Sequence, residues 1–237
     1  MTAADPDAVQ NNITAFWDTV ASGYEAHPGN VPERDGAEYA AWVDAVRQLL
    51  PQPPAAVLDI ATGTGFVALI AASVGHRVTG LDASSGMLAE ARDEAQRREL
   101  DVTFVEGDAV EPDFPAASFD AIISRHFIWT LREPERALAA WLRLLRPGGR
   151  VVAIDSFWWA GQPDEEPAEE GLFEQHYTKD TRAALPGMRA SNVDDVVAMF
   201  ECAGFQDLRA GDLARAYALA KDPPGGQPWY TITAYRR

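Results

Sequence analysis

Short apolar runs and amphipathic stretches take turns along most of this chain. The run from Ala55 to Ile60 carries Val57, Leu58 and Ile60 and reads as a buried strand. Arg77–Leu81, Val102–Glu106, Phe119–Ser124 and Arg150–Asp155 repeat the pattern. Helical spacing separates them: an apolar helix through Phe66, Leu69 and Ile70, a longer one from Ser85 to Leu100, and Pro134–Arg146 with Leu138, Trp141, Leu142 and Leu145 inward. Pro147-Gly148-Gly149 is expected to end the last of these. Strands alternating with helices at this spacing imply a parallel sheet covered on both faces.

Two helices are predicted before the alternation. One starts at Asn11, with Ile13, Phe16, Trp17 and Val20 on one face, after a frayed stretch 1–10. Ser22 to Asn30 reads as a loop, and 37–50 as an amphipathic helix through Tyr39, Trp42, Val43 and Val46. After Asp155 the alternation stops. Residues 156–192 are aromatic at first (Phe157, Trp158, Trp159) and then acidic, from Asp164 to Glu170, and read as a lid over the carboxyl end of the sheet. A helix over 193–203 and strands near Gln206–Ala210 and Trp229–Tyr235 complete an α/β, doubly wound, mostly parallel seven-stranded sheet. The expected organisation is an N-terminal helical cap, 1–50, and a core, 51–237, with the lid inserted at about 156–192.

Charge removes several functions. A net charge of −16 in 237 residues, with a pI near 4.5, argues against a nonspecific hold on nucleic acid or on an anionic membrane. Cys202 is the single cysteine, so no internal disulfide forms; its place in a helix suggests a buried thiol. The first ten residues lack a secretory core, and no apolar run reaches membrane-spanning length. A cytoplasmic protein acting on a small molecule is expected, and a homodimer is compatible with the sequence.

The chemistry concentrates where the first strand ends. Gly63-Thr64-Gly65-Phe66-Val67-Ala68 fits G-x-G-x-x-A, and Asp82 lies where a ribose-binding acid belongs, so a dinucleotide is one reading. The two glycines would let backbone approach a ligand. Asp59 favours a different nucleoside, because a carboxylate at the loop entrance repels a diphosphate and attracts a cation. Asp108, in Glu106-Gly107-Asp108-Ala109, adds an acid at the next strand end.

Taken as a set, Leu58-Asp59-Ile60-Ala61-Thr62-Gly63-Thr64-Gly65, Gly80-Leu81-Asp82, Glu106-Gly107-Asp108-Ala109, Phe119-Asp120 and Leu145-Arg146-Pro147-Gly148-Gly149 resemble the class I S-adenosylmethionine-dependent methyltransferases. The likeness is to the small-molecule type that includes ubiquinone-biosynthesis C-methyltransferases, and it runs from about Phe16 to Gly149. Ala61 departs from the glycine usual there. The resemblance implies a Rossmann-like methyltransferase fold and S-adenosyl-L-methionine as cofactor. It implies that Ala61 and Gly63 lie against the methionyl part, with Asp59 supporting the site. Asp82, with Ala83 beside it, would take the ribose hydroxyls. Met87 would pack on the adenine, and Asp108 and the Ala109 amide would meet its edge. Ser124 and Arg125 would border the methionyl group and the acceptor, and Tyr24 would lie over the cofactor.

Methyl transfer needs alignment first, and a base only where the nucleophile loses a proton. His126, Tyr24 and His27 are the candidates, with His176 and Tyr177 behind them; His126 follows the fourth strand directly, in an apolar context that also suits a packing histidine. His76 reads as an exposed turn residue and Asp120 as structural. Neither an Asn/Asp-Pro-Pro-Tyr signature nor a Pro-Cys nucleophile follows the fourth strand, which disfavours nucleic-acid bases as acceptors. No metal site is expected. Phe16, Trp17, Tyr24, Phe127, Trp129 and Phe157–Trp159 gather where an acceptor would bind and suit an apolar or aromatic molecule of specialised metabolism. The alternatives are the same cofactor used for cyclisation or aminocarboxypropyl transfer, an NAD-dependent dehydrogenase, and a non-catalytic cofactor-binding protein.

Overall fold

A computed structural model describes residues 5–26, 32, 36–157, 171–220 and 229–237. Helices α1 (Pro6–Tyr24) and α2 (Ala37–Leu49) precede β1 (Ala56–Ile60). Then come α3 (Phe66–Ser73), β2 (Arg77–Asp82), α4 (Ser85–Arg97), β3 (Val102–Glu106) and β4 (Phe119–Arg125). A 3₁₀ turn, Ile128–Thr130, leads to α5 (Pro134–Leu144) and β5 (Leu145–Asp155). Short helices α6 (Leu172–His176) and α7 (Lys179–Ala183) and a 3₁₀ turn, Pro186–Arg189, lead to α8 (Val193–Cys202). The last elements are β6 (Gln206–Asp212), α9 (Ala214–Leu219) and β7 (Tyr230–Tyr235).

The seven strands lie in the order β3-β2-β1-β4-β5-β7-β6. All pairs are parallel except those of β7, which runs antiparallel to β5 and β6. The fold is therefore the doubly wound, mostly parallel sheet the sequence predicts. Strand order reverses between β1 and β4, so the crevice beyond their carboxyl ends is where such a sheet receives a ligand.

Alternation along the strands feeds two cores. Leu58, Ile60 and Ile122 point to one face, with Leu138 and Trp141 of α5 and Phe200 of α8. Val57, Ile123 and Val152 point to the other, with Trp42 of α2, Val67 and Ile70 of α3, and Trp229. A third cluster joins Val9 and Ile13 of α1 to Trp129, Tyr177, Leu185 and Met188. It fixes α1 and the chain after Gly171 over the carboxyl end of the sheet. Gly187 makes this seat: a Cβ there would stand 2.0 Å from the Ile128 carbonyl oxygen, so only glycine lets the two 3₁₀ turns touch backbone to backbone.

Several boundaries differ from the expectation. α1 starts at Pro6, not Asn11, because Asp5 caps it by accepting from the Asp7 amide and proline occupies the first turn. It also runs through Ser22–Tyr24, expected as loop. α5 stops at Leu144, and Pro147-Gly148-Gly149 lies within β5, where Gly148 at φ +79° accommodates a register shift opposite Phe119–Ala121. His76 is buried rather than exposed, and Cys202 is exposed rather than buried. Asp120 accepts from the Ala56 amide at 2.7 Å and pairs with Arg146, a structural role as expected. Residues Trp158–Glu170, including the acidic run, lie outside the described residues. Among the described residues no helix is long and apolar enough to cross a membrane.

Candidate functional site

A cavity of about 230 Å³ opens at the carboxyl ends of β1, β2 and β4, beneath α1. Its floor is the turn after β1. Ala61 and Gly63 both lie at φ +55°, and Thr62 turns its amide to the Leu81 carbonyl at 3.0 Å. A Cβ on Gly63 would meet nothing within 4 Å, so the space beyond it belongs to the cavity. Gly65 serves another purpose than ligand approach. Its Cβ would come within 3.2 Å of Ala91 and 3.3 Å of Phe104, so it is small to pack α3 against its neighbours, and it does not line the cavity.

Three acids surround this floor. Asp59 is buried, and its Oδ2 accepts from Thr62 Oγ1 at 2.7 Å and from the Ala68 amide at 3.0 Å, bracing the turn against α3. Burial pushes its carboxyl up to about 7, against these hydrogen bonds and Arg125. Asp82 spends one lone pair of each oxygen on the chain: Oδ2 accepts from the Gly63 amide at 2.8 Å and Oδ1 from the Ser84 amide at 2.9 Å. Burial raises its pKa too. Asp108 accepts from the Val110 amide at 2.8 Å through Oδ1 and pairs with Arg132 through Oδ2.

Of the residues singled out from sequence, Tyr24, Asp59, Ala61, Gly63, Asp82, Ala83, Met87, Asp108, Ala109, Arg125 and His126 all line this one cavity. Ser124 does not: it is buried on the α5 side of the sheet, and its Oγ has no hydrogen-bond partner. His27 lies outside the described residues.

The aromatic residues divide. Trp17, Phe127 and Trp129 face the cavity. Phe16 packs edge-on to Phe173 and Tyr177 in the third cluster, and Phe157 stacks on Tyr230 at 4.7 Å; neither reaches the cavity. Tyr177 ties the cover together, since its hydroxyl accepts from Trp17 Nε1 at 3.1 Å and bonds Thr130 Oγ1 at 2.8 Å. Asp18, from the same helix, accepts from Ser84 Oγ at 2.6 Å and from the Gly86 amide at 2.9 Å. α1 is therefore hydrogen-bonded on both sides of the cavity it covers. Its negative charge stands at the N-terminus of α4, a favourable place for it.

His126 sits at φ +55°, with its amide on the Ile154 carbonyl at 2.8 Å. Its Nδ1 is 3.9 Å from Asp155 Oδ1. Burial, helped by the Arg125 charge, brings its pKa down to about 4. Arg132 is the residue the sequence reading missed. It links Asp108 to Gln10 of α1, closing one end of the cavity. A lone arginine between the 3₁₀ turn and α5 carries no pattern that would have marked it.

This donor set suits a nucleoside that carries positive charge. Asp59 and Asp82 would repel a diphosphate placed at the turn, and Asp82, which lines the cavity, can accept from a ligand hydroxyl. Buried Met87 and Val110, with Leu131, offer apolar surface beside Asp108.

The chain is similar in sequence and fold to known methyltransferases. Residues 58–153 match the family described as "Methyltransferase domain". The demethylmenaquinone methyltransferase of Thermus thermophilus is 40% identical over 113 residues, 47% of this chain and 51% of that protein. That of Renibacterium salmoninarum is 33% identical over 156 residues, 65% of this chain and 63% of that protein. The chain thus spans between half and two thirds of the length of these relatives. Among solved structures, phosphoethanolamine N-methyltransferase 2 of Haemonchus contortus, in complex with phosphomonomethylethanolamine and S-adenosylhomocysteine, superposes with a TM-score of 0.68. It is 21% identical, covering 94% of this chain and 60% of that one, and supports the fold.

Proposed function

We propose that this chain, which belongs to the class I S-adenosylmethionine-dependent methyltransferases through residues 58–153, transfers a methyl group from S-adenosylmethionine to a small acceptor with an apolar or aromatic body. The observation that carries the reading is the convergence of Asp59, Asp82 and Asp108 on one cavity floored by Gly63. Asp82 would accept from the ribose hydroxyls beside its amide contacts, and Asp108 from the adenine amino group. Met87, Val110 and Leu131 would flank the base. Ala61 and Gly63 would adjoin the amino-acid end, and Asp59 would face its positive charge.

When bound, the cofactor supplies a methyl group already activated by a positive sulfur. The chain's own work is then placement. Trp17, Tyr24, Phe127 and Trp129 give the acceptor flat apolar surfaces, and the bonded cover of α1 and Tyr177 keeps water out. With its pKa near 4, the His126 imidazole is unprotonated at neutral pH. So low a pKa makes it a weak base, suited to accepting a hydrogen bond from an acceptor hydroxyl or amine rather than to carrying its proton away, and Tyr24 bonds Arg125 beside it. The relatives named for demethylmenaquinone support an aromatic acceptor such as a hydroquinone.

The test is incubation of the purified chain with S-adenosylmethionine and a panel of hydroquinones, phenols and aromatic amines. S-adenosylhomocysteine should form only in the presence of an acceptor. Methylthioadenosine forming without an acceptor would replace methyl transfer by cyclisation, and methylthioadenosine forming only with one would replace it by aminocarboxypropyl transfer. Calorimetric binding of NAD but not of S-adenosylhomocysteine would overturn the cofactor.

A further inference from the structure

A second space adjoins the cavity. It is an outer groove of about 550 Å³, open to solvent, with Asp7 and Asn11 of α1 on one side and Glu106 and Gly107 at the end of β3 on the other. Gln10, Ala83, Asp108 and Arg132 line both spaces, so they form the partition between them. Arg132 spans that partition. Its Nε donates to Gln10 Oε1 at 3.1 Å, Nη2 pairs with Asp108 Oδ2, and Nη1 pairs with Glu133. Gln10 is itself braced, since its Nε2 donates to Thr14 Oγ1 at 3.1 Å. The Arg132 side chain is 7% exposed, whereas those of Asp108 and Glu133 are 38% and 31% exposed. The guanidinium thus closes the partition with water close behind its partners. Glu133, its chain neighbour, can keep Nη1 while Gln10 and Asp108 are released, so a turned-out Arg132 still has an anion beside it.

The cover is harder to move. α1 is tied by Asn12 to Thr181, by Trp17 to Tyr177, and by Asp18 to Ser84 and Gly86. Its Val9 and Ile13 are buried in the third cluster. Lifting the helix breaks these bonds together and exposes apolar surface. Turning one arginine breaks a hydrogen bond and an ion pair, and it returns the charge to water. The same movement frees Asp108 Oδ2, on the acid placed above against the adenine edge.

We propose that Arg132 is a side-chain gate: the nucleoside passes through the outer groove when Arg132 turns away from Gln10 and Asp108, and α1 stays in place. The proposal rests on the cofactor reading above for the identity of the ligand.

Stopped-flow tryptophan fluorescence on the full chain tests it, with Trp17 facing the cavity as a reporter. S-adenosylhomocysteine is the probe, and the slope of the observed rate against its concentration gives the association rate. Salt at about 0.5 M screens the change in charge at position 132. Arg132→Met should speed association about fivefold or more, and Gln10→Ala, which removes only the α1 side of the gate, about twofold or more. Asn12→Ala and Tyr177→Phe loosen α1 away from the gate and should leave the rate within about twofold of wild type. Acceleration by either of these equal to that of Arg132→Met overturns the route, because α1 is then what moves. Rates unchanged in both Arg132→Met and Gln10→Ala overturn the gate while leaving the cofactor reading intact. Wild type that binds no S-adenosylhomocysteine overturns the cofactor reading, and the route falls with it. If Arg132→Met fails to fold, Gln10→Ala decides by the same criterion.

Discussion

Asp59→Asn is the substitution whose outcome the structure dictates most fully. Both hydrogen bonds that Asp59 accepts, from Thr62 Oγ1 and the Ala68 amide, fall on one oxygen, Oδ2. Asparagine can present its carbonyl oxygen there and keep the turn braced, while the group loses its ability to ionise. In the folded chain burial raises the Asp59 carboxyl from 3.8 to about 7. Each unit is worth about 1.4 kcal/mol, so ionised Asp59 costs the native state about 4 kcal/mol relative to the unfolded chain. The sign follows. Above pH 7 the residue is charged in both states and the full cost applies; below about pH 4 it is protonated in both and the cost is gone. Stability from this residue therefore rises as pH falls from about 7 to about 4. Urea unfolding of wild type and Asp59→Asn should show the variant ahead at pH 8, with the gap shrinking by about 2–3 kcal/mol by pH 5. Taking the difference between the two proteins removes the titration of groups common to both, apart from the share coupled to Asp82. A gap that stays constant within about 0.5 kcal/mol from pH 8 to pH 5, or one that reverses at high pH, would refute the reasoning.

The cover and the floor give three further predictions. Gly187→Ala drives a Cβ into the Ile128 carbonyl and must push the two 3₁₀ turns apart, costing about 1–3 kcal/mol; a melting temperature unchanged within 1–2 °C would contradict it. Ala61→Gly relieves a left-handed alanine, φ +55°, worth about 1–2 kcal/mol against about 0.4–1 kcal/mol of added chain entropy, so urea unfolding should show a gain of roughly 0.5–1 kcal/mol and no loss. Tyr177→Phe leaves Trp17 Nε1 and Thr130 Oγ1 without their shared partner, so stability should drop by about 1–3 kcal/mol and α1 should become more open to limited proteolysis; protection equal to wild type would show that the hydroxyl does not hold the cover.

The central strands were readable because they are buried on both faces, so apolar runs such as those of β1 and Ala121–Ile123 stand out against the polar turns that follow. The acids at their ends were readable for the same reason. Once β1, β2 and β3 are parallel neighbours, Asp59, Asp82 and Asp108 must fall near one edge. The start of α1 was legible but unread: Asp5-Pro6 is a cap followed by a first-turn proline. What escaped depends on side chains from distant parts of the chain. Nothing local separates the cavity-facing Gly63 from Gly65, whose neighbours Ala91 and Phe104 come from α4 and β3. Ser124 and Arg125 are adjacent, yet strand alternation sends one to the α5 face and the other to Phe66 and Trp42. Arg132 gains its role only when α1 brings Gln10 across the sheet.

The electrostatics of the site explain why a buried acid so costly to stability stands at the floor. Burial keeps both Asp59 and Asp82 from ionising freely; the Asp82 charge adds to the effect at Asp59, and Asp18 to that at Asp82. A hydrogen-bonding neutral side chain at 59 would brace the turn as well. The carboxylate differs from it in one respect: a cation placed in the cavity favours its ionised form, so part of the folding cost is offset by the bound state. Arg125, also buried at the cavity, has its charge disfavoured by burial and supported by Tyr24, Asp59 and Glu38. An ammonium placed at the turn would meet Asp59 favourably, whereas a diphosphate there would meet Asp59 and Asp82. The proposed preference for a positively charged nucleoside thus rests on the placement of Asp59 and Asp82 rather than on the glycines of the loop.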